Sequence, residues 1–421
     1  MSAKVTPARQ LSLSALKHVL NRRQFLTDAD LNGASEDQAR ALSITRGILR
    51  YLGQLDGLLK QNLEKQPPSA VMHILRIGAY EILVEERAPH AVVDQAVQLA
   101  KSNYKTAGFA GLINAVLRKI TSEESKTNFA ASGPVILPKA FQGQMKFADA
   151  DTFDAIAIAH QNGAPVDLTL KKQSEAEEFA QILDAQIVPT GSLRLRNAAQ
   201  LSKLAGFDQG AWWVQDAAAA LPARLLGVQK GQRVLDLCAA PGGKTLQLAS
   251  VGADVTALDI SQPRMKKLLA NLKRCKLQAQ IVVQDALQYE AEQFDAILLD
   301  APCSASGTIR RHPELPILKK NMDLGNLLKL QRELLSKAVN LLKPRGTLVY
   351  ATCSLFDAEG PAQAEWALNN LDLKEEQFDA ESLGVSNSYQ TTTNSLRLRP
   401  DYWSELGGMD GFFMAKFIKA G

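Results

Sequence analysis

The stretch VLDLCAAPGGKTLQLA, Val234 to Ala249, decides how this chain is read. An apolar run ends near Asp236, turns through Cys238-Ala239-Ala240-Pro241-Gly242-Gly243 and resumes as a helix-forming run from Lys244. That order predicts strand, tight turn, helix. In open parallel sheets ligands bind at such strand ends, where a helix N-terminus offers free backbone N–H groups. Gly242 and Gly243 are expected to let the backbone approach a bound molecule with no Cβ in the way. The turn lacks GxGxxG, which disfavours a nicotinamide dinucleotide, and it lacks the GxxxxGK[ST] of a triphosphate loop. Two cysteine segments follow strand-like runs downstream, DAPCSASG (Asp300 to Gly307) and YATCSLF (Tyr350 to Phe356).

Working outward, strand-like runs at 233–237, 255–258, 280–283, 294–299 and 347–351 alternate with helix-like runs at 244–250, 262–273 and 324–342. Such alternation predicts an α/β domain with a mostly parallel sheet covered by helices. A last run at 411–417 predicts one antiparallel strand near the edge. Four of the runs close on an aspartate, at Asp236, Asp259, Asp285 and Asp300. Asp also favours turns and helix starts. Four at one sheet edge beside a Gly-Gly turn point to a ligand site, with Asp259 placed to accept from ribose hydroxyls.

The thiols divide by position. Cys275 sits on a helix and reads as a small buried hydrophobe. Cys238 lies inside the turn, where its backbone is expected to matter more than its sulfur. Cys303 and Cys353 fall at strand ends, where lowered pKa makes a thiol a nucleophile. Arg310, Arg311 and His312 follow Cys303 closely enough in sequence to supply positive potential.

The N-terminal quarter is different. Phe109, Leu112, Ile113, Val116, Leu117 and Ile120 recur at helical spacing, as do Val93, Ala96, Val97 and Ala100. Residues 1–125 are expected to be all-helical, 126–150 a linker, 151–210 a small α+β subdomain and 211–421 the α/β domain. Residues 1–125 hold 16 Lys and Arg against 12 Asp and Glu, and the other 296 hold 32 of each. The chain's net charge of +4 therefore resides in the helical part, compatible with a phosphate-rich partner or an ordinary solvated surface. No apolar run is long enough to span a membrane. MSAKVTPARQ lacks the apolar core of a secretory signal. Four scattered cysteines form neither a disulfide framework nor a zinc pattern, so a reducing, cytoplasmic setting with no metal is expected.

LDLCAAPGGKT, LLDAPCSASGTIRRHP, YATCSLFDAEG and the closing DGFFMAKF together resemble the RNA 5-methylcytosine methyltransferases of the NOL1/NOP2/Sun type. AVVDQAVQLAKS and GFAGLINAVLRKI resemble the RNA-binding domain of the NusB antitermination factor. The combination is similar to bacterial enzymes that methylate cytosine in 16S rRNA. The resemblance implies a Rossmann-like methyltransferase domain behind a NusB-like one, and a monomer acting on RNA, with no membrane partner. It implies S-adenosylmethionine lying over Cys238, Ala239, Ala240, Pro241, Gly242, Gly243 and Lys244. Asp259 would then meet the ribose and Asp285 the adenine, with Arg264 contributing and Asp300 shared with the base. It also implies Cys353 as the nucleophile, Cys303 for release of the methylated base and Asp300 on the cytosine ring. DNA cytosine methyltransferases use the PC-motif cysteine as nucleophile; a second, TCS-type cysteine points to the RNA class. Two other outcomes stay open, a tRNA substrate and a non-catalytic RNA-binding assembly factor. The chain departs from the family where Gly360-Pro361 interrupts an acidic-polar run after Glu359.

Overall fold

The computed structural model describes residues 6–26, 34–134, 137–196, 200–319, 322–391 and 394–421. The chain forms two compact units. The first comprises residues 1–140, 150–163 and 311–321, and the second residues 141–149, 164–310 and 322–421.

The first unit is helical. Its core is built from Leu55, Leu59, Ile74, Leu75, Ile113, Leu117 and their neighbours on six helices between Ser35 and Ala131. Of the helical face read around Ile113, Val116, Leu117 and Ile120, those four are buried, whereas Leu112 is exposed at its margin. Buried Glu81 is held by Arg9 at 2.8 Å, which offsets the cost of an interior charge. The helix Glu123–Ala131 covers the start of the expected linker, and Ala150–Asn162 packs with this unit instead of opening the α+β region. Val135 and Ile136 of that linker, and residues 197–199 of the α+β segment, lie outside the described residues.

The second unit holds two sheets. In the smaller, β1 (Val166–Leu170), β2 (Ala185–Ile187), β3 (Leu193–Leu195) and β4 (Trp212–Val214) run in the order β2-β3-β1-β4, all antiparallel. The larger contains β5 (Arg233–Leu237), β6 (Asp254–Asp259), β7 (Gln280–Val283), β8 (Phe294–Asp300) and β9 (Leu342–Thr352), with β10 (Leu373–Glu375), β11 (Leu396–Leu398) and β12 (Phe412–Lys419). Its order is β10-β12-β9-β8-β5-β6-β7, with β11 also on β12. Strands β5 to β9 are mutually parallel, and β12 runs antiparallel to β9. β12 is thus antiparallel and near the edge, as expected, with only the three-residue strands β10 and β11 covering its far side.

This topology fixes where a ligand goes. The chain proceeds from β5 outward to β7, then returns to lay β8 against the other side of β5. The reversal opens a crevice at the carboxyl ends of β5 and β8. From Val234 to Leu237 every residue of β5 is buried, because both of its faces are covered.

Candidate active site

A cavity of about 610 Å³ opens at that crevice. The carboxyl ends of five strands contribute to it: Cys238 after β5, Asp259 closing β6, Asp285 after β7, Asp300 closing β8 with Cys303 beyond it, and Cys353 after β9. The turn after β5 presents only Cys238 and Ala240 among the lining residues. Ala239, Pro241, Gly242 and Gly243 form the rest of the bend. Packing gives both glycines a reason to be glycine that is separate from any ligand. A Cβ on Gly242, whose φ is +106°, would lie 2.2 Å from Leu268, and one on Gly243 would press on Gln215 at 3.0 Å.

Asp259 braces the bend. Its Oδ2 accepts from the Ala240 N–H at 3.0 Å and its Oδ1 from the Ser261 N–H at 2.8 Å. Arg264 donates to the Ala240 carbonyl, stands 3.9 Å from Asp259 and lines the cavity beside the turn. Asp285 caps the short turn after β7 through the Leu287 N–H, at 3.0 Å, and faces the cavity. Ile260 is 71% exposed beside Asp259 and gives the cavity an apolar wall.

Asp236 departs from the other three strand-end aspartates. It is fully buried, accepts from the Thr245 hydroxyl at 2.5 Å, and does not line the cavity. Its second oxygen has no hydrogen-bond partner among the described residues. Burial pushes this carboxyl up to about 7, against the lowering pull of Thr245 and Lys244. A raised carboxyl pKa stabilises the fold fully below the unfolded value near 4 and loses that contribution as pH rises through the folded value. Asp236→Asn should therefore flatten the profile. The stability of the native chain relative to the variant should fall by a few kcal/mol, on the order of 3, between pH 4 and pH 8. Urea unfolding across that range checks it; a difference that does not move with pH refutes the assignment.

The two thiols meet. Cys303 and Cys353 Sγ lie 3.4 Å apart, both on the cavity wall. Hydrogen bonding to Cys353, burial, and the charges of Cys353 and Glu359 push the Cys303 thiol well up. Burial likewise raises Cys238, consistent with an inert sulfur there. Cys275 is buried, as expected. The positive potential expected from Arg310 is absent: Arg310 is fully buried, donates to the Gly407 carbonyl at 3.0 Å and sits 3.5 Å from Asp410. Arg311 and His312 belong to the helical unit. Arg264 lines the cavity, and Lys244 reaches it through Asp300, whose Oδ2 lies 2.7 Å from Lys244 Nζ. Burial works to lower this ammonium's pKa, and the facing Asp300 carboxylate outweighs it, so the net shift is upward.

Comparison with known proteins agrees with this construction. Residues 223–418 match the family model described as 16S rRNA methyltransferase RsmB/F, and residues 6–122 match the NusB family. Ribosomal RNA small subunit methyltransferase B of Cronobacter sakazakii is 33% identical over 435 residues, covering 98% of each chain. The chain belongs to the RsmB family of 16S rRNA methyltransferases. The same enzyme of Pasteurella multocida is also 33% identical, over 98% of this chain and 95% of that one. Among solved structures, PH0851 superposes with a TM-score of 0.74 over the full length of both chains at 22% identity, a likeness of fold. A methyltransferase homolog protein from Pyrococcus horikoshii gives a TM-score of 0.56 at 27% identity over 67% of this chain and 95% of that one.

Within this RsmB-family chain, two further residues shape the site without having been singled out by motif. Gly307 donates to the Cys353 carbonyl at 3.0 Å and accepts from the Gly411 N–H at 2.8 Å. A Cβ there would lie 2.0 Å from the Gly411 carbonyl oxygen, so only glycine lets the Cys303 loop, the Cys353 loop and the start of β12 close together. Glu359 is fully buried behind both cysteine loops. The Gly360-Pro361 departure begins the helix Pro361–Asn370, with proline at a position where no backbone N–H is needed.

Proposed function

We propose that this chain methylates carbon 5 of a cytosine in 16S rRNA through a covalent adduct on Cys353. One observation carries the reading: two sulfurs 3.4 Å apart share a cavity wall with Asp259, Asp285 and Asp300. The cavity volume falls in the range of small-molecule sites. Each Asp259 oxygen already takes one backbone N–H and keeps a lone pair for a ribose hydroxyl. Ile260 and Leu287 offer apolar surface for an adenine near Asp285. These residues suit S-adenosylmethionine, which when bound would supply an electrophilic methyl group.

The chain's own residues supply the rest. Carbon 5 of cytosine is a poor nucleophile. A Cys353 thiolate adding to carbon 6 forms an S–C bond and moves the ring's electron pair toward carbon 5, which can then take the methyl group. Loss of the carbon-5 proton and cleavage of the S–C bond regenerate the thiolate. Asp300, held by Lys244, would hydrogen-bond the ring in its adduct form. Positioning contributes to rate by holding the reacting atoms close to contact.

A stacked base cannot reach a thiol at a cavity wall, so the target has to be extruded or lie in a loop. An RNA partner is supported by the helical unit. Between Asp94 and Glu123 it carries Lys101, Lys105, Arg118 and Lys119 and no acidic residue. Tyr104 among them is 85% exposed, with Lys105 Nζ 5.6 Å from its ring centre, an aromatic and a cation side by side for a base and a phosphate. Bisulfite sequencing of RNA from cells with and without the protein tests the reading. We expect one methylcytosine to disappear from 16S rRNA. Loss confined to tRNA makes the chain a tRNA enzyme, and no loss in either refutes cytosine-5 methylation.

A further inference from the structure

We propose that Glu359 is a positioning residue that sets the two active-site sulfurs against each other. The inference rests on the roles given above to Cys303 and Cys353. Each of those cysteines is followed by a serine, and both serines are tied to this one carboxylate. Glu359 Oε1 accepts from the Ser304 backbone N–H at 2.8 Å, and Oε2 accepts from the Ser354 hydroxyl at 2.6 Å. Both serines are fully buried, so neither bond is exchanged with solvent.

A third segment locks the arrangement. Gln331, fully buried on the helix Leu324–Leu341, donates from Nε2 to Glu359 Oε1 at 3.1 Å and to the Pro302 carbonyl at 2.9 Å. The Glu359 backbone is pinned as well. Its carbonyl accepts from the Tyr350 hydroxyl at 2.8 Å and the Thr352 hydroxyl at 3.3 Å. Ser304, Ser306 and Ser354 hydroxyls close a ring of contacts of 3.0 to 3.2 Å beneath the sulfurs. The carboxylate thus joins the turn after β8 to the turn after β9, and Cys303 and Cys353 are the residues immediately outside that junction. A buried network with its members satisfied holds one geometry. A displacement of about 1 Å at reacting groups can cost roughly 10²-fold in rate.

Sulfur juxtaposition can be read without RNA. Diamide takes two electrons and two protons from a pair of neighbouring thiols and leaves an S–S bond, and peptide mass spectrometry reports the Cys303–Cys353 link. The native chain should cross-link. Glu359→Ala should do so at least about tenfold more slowly, with both chains compared well below their thermal midpoints, because the junction that creates the high local thiol concentration is gone. Glu359→Gln, whose amide oxygen can still accept from Ser304, should stay within about threefold. In methyl transfer, Glu359→Ala should lower kcat about 10²-fold with KM for S-adenosylmethionine unchanged. Cross-linking of Glu359→Ala at the native rate, or no link in the native chain, overturns the proposal. If Glu359→Ala does not fold, Ser354→Ala removes one arm of the junction and should cross-link severalfold more slowly; a native rate there overturns it equally. A native chain that cross-links but methylates no cytosine leaves the positioning role standing and removes the proposed reaction instead.

Discussion

Replacing Cys353 by alanine is expected to abolish methyl transfer, by roughly 10⁴-fold or more as for other lost nucleophiles. Replacing Cys303 by alanine should instead accumulate an enzyme–RNA adduct that survives denaturing electrophoresis. The asymmetry follows from what raises the Cys303 thiol. The hydrogen bond to Cys353 comes first, followed by burial and the Cys353 charge. While Cys353 is free, Cys303 keeps its proton and can hydrogen-bond the neighbouring sulfur across 3.4 Å. Once Cys353 is a thioether it carries no charge, and two of the causes that hold the Cys303 proton vanish. Cys303 then becomes the more acidic thiol at the moment a group is needed to assist elimination. Alanine at 303 leaves bond formation intact and removes that assistance. The measurement is the gel-shifted fraction after incubation with RNA and S-adenosylmethionine, expected to approach one adduct per enzyme for Cys303→Ala and none for Cys353→Ala. An adduct that requires Cys303 and persists without Cys353 would reverse the two roles.

What the sequence discloses here follows the range of the forces involved. The β5 strand, its turn and the helix Gly243–Ser250 are legible because apolar alternation and helical periodicity are local signals. Asp259, Asp285 and Asp300 are legible as a set because parallel strands bring their carboxyl ends to one edge. Strands of three residues, such as Leu373–Glu375 and Leu396–Leu398, are too short to show a period, so the strands that flank β12 are not legible. Arg310 lies only seven residues beyond Cys303 yet turns inward to Asp410, a partner a hundred residues away that no spacing rule announces. Gly242 has a packing constraint that its motif does not announce, since a Cβ there would meet Leu268 on the next helix. Glu359 and Gln331 were invisible for the same cause: their meaning lies in contacts with Ser304 and Pro302, 55 and 29 residues away.

The Lys244–Asp300 pair yields the second large effect. The Lys244 side chain is 10% exposed and that of Asp300 28%, with 2.7 Å between the charged atoms. Removing one partner from such a pair leaves an uncompensated interior charge, which costs about 3–5 kcal/mol. Asp300→Ala should therefore lose stability of that order and, on the proposed mechanism, also lose methyl transfer, because the group proposed to hold the cytosine ring is gone. The two losses have different origins, and a second substitution separates them. Lys244→Met replaces the ammonium by an apolar chain of similar length, so Asp300→Ala combined with Lys244→Met removes both charges and fills the space. Replacing a whole buried pair by apolar groups is often close to neutral. The double variant should recover most of the lost stability in urea unfolding while methyl transfer stays at the level of Asp300→Ala. Recovery of activity together with stability would mean that Asp300 serves only to neutralise Lys244. No stability loss in Asp300→Ala would mean that Lys244 finds water on its own, and the ammonium would then have no part in fixing the carboxylate that faces the base.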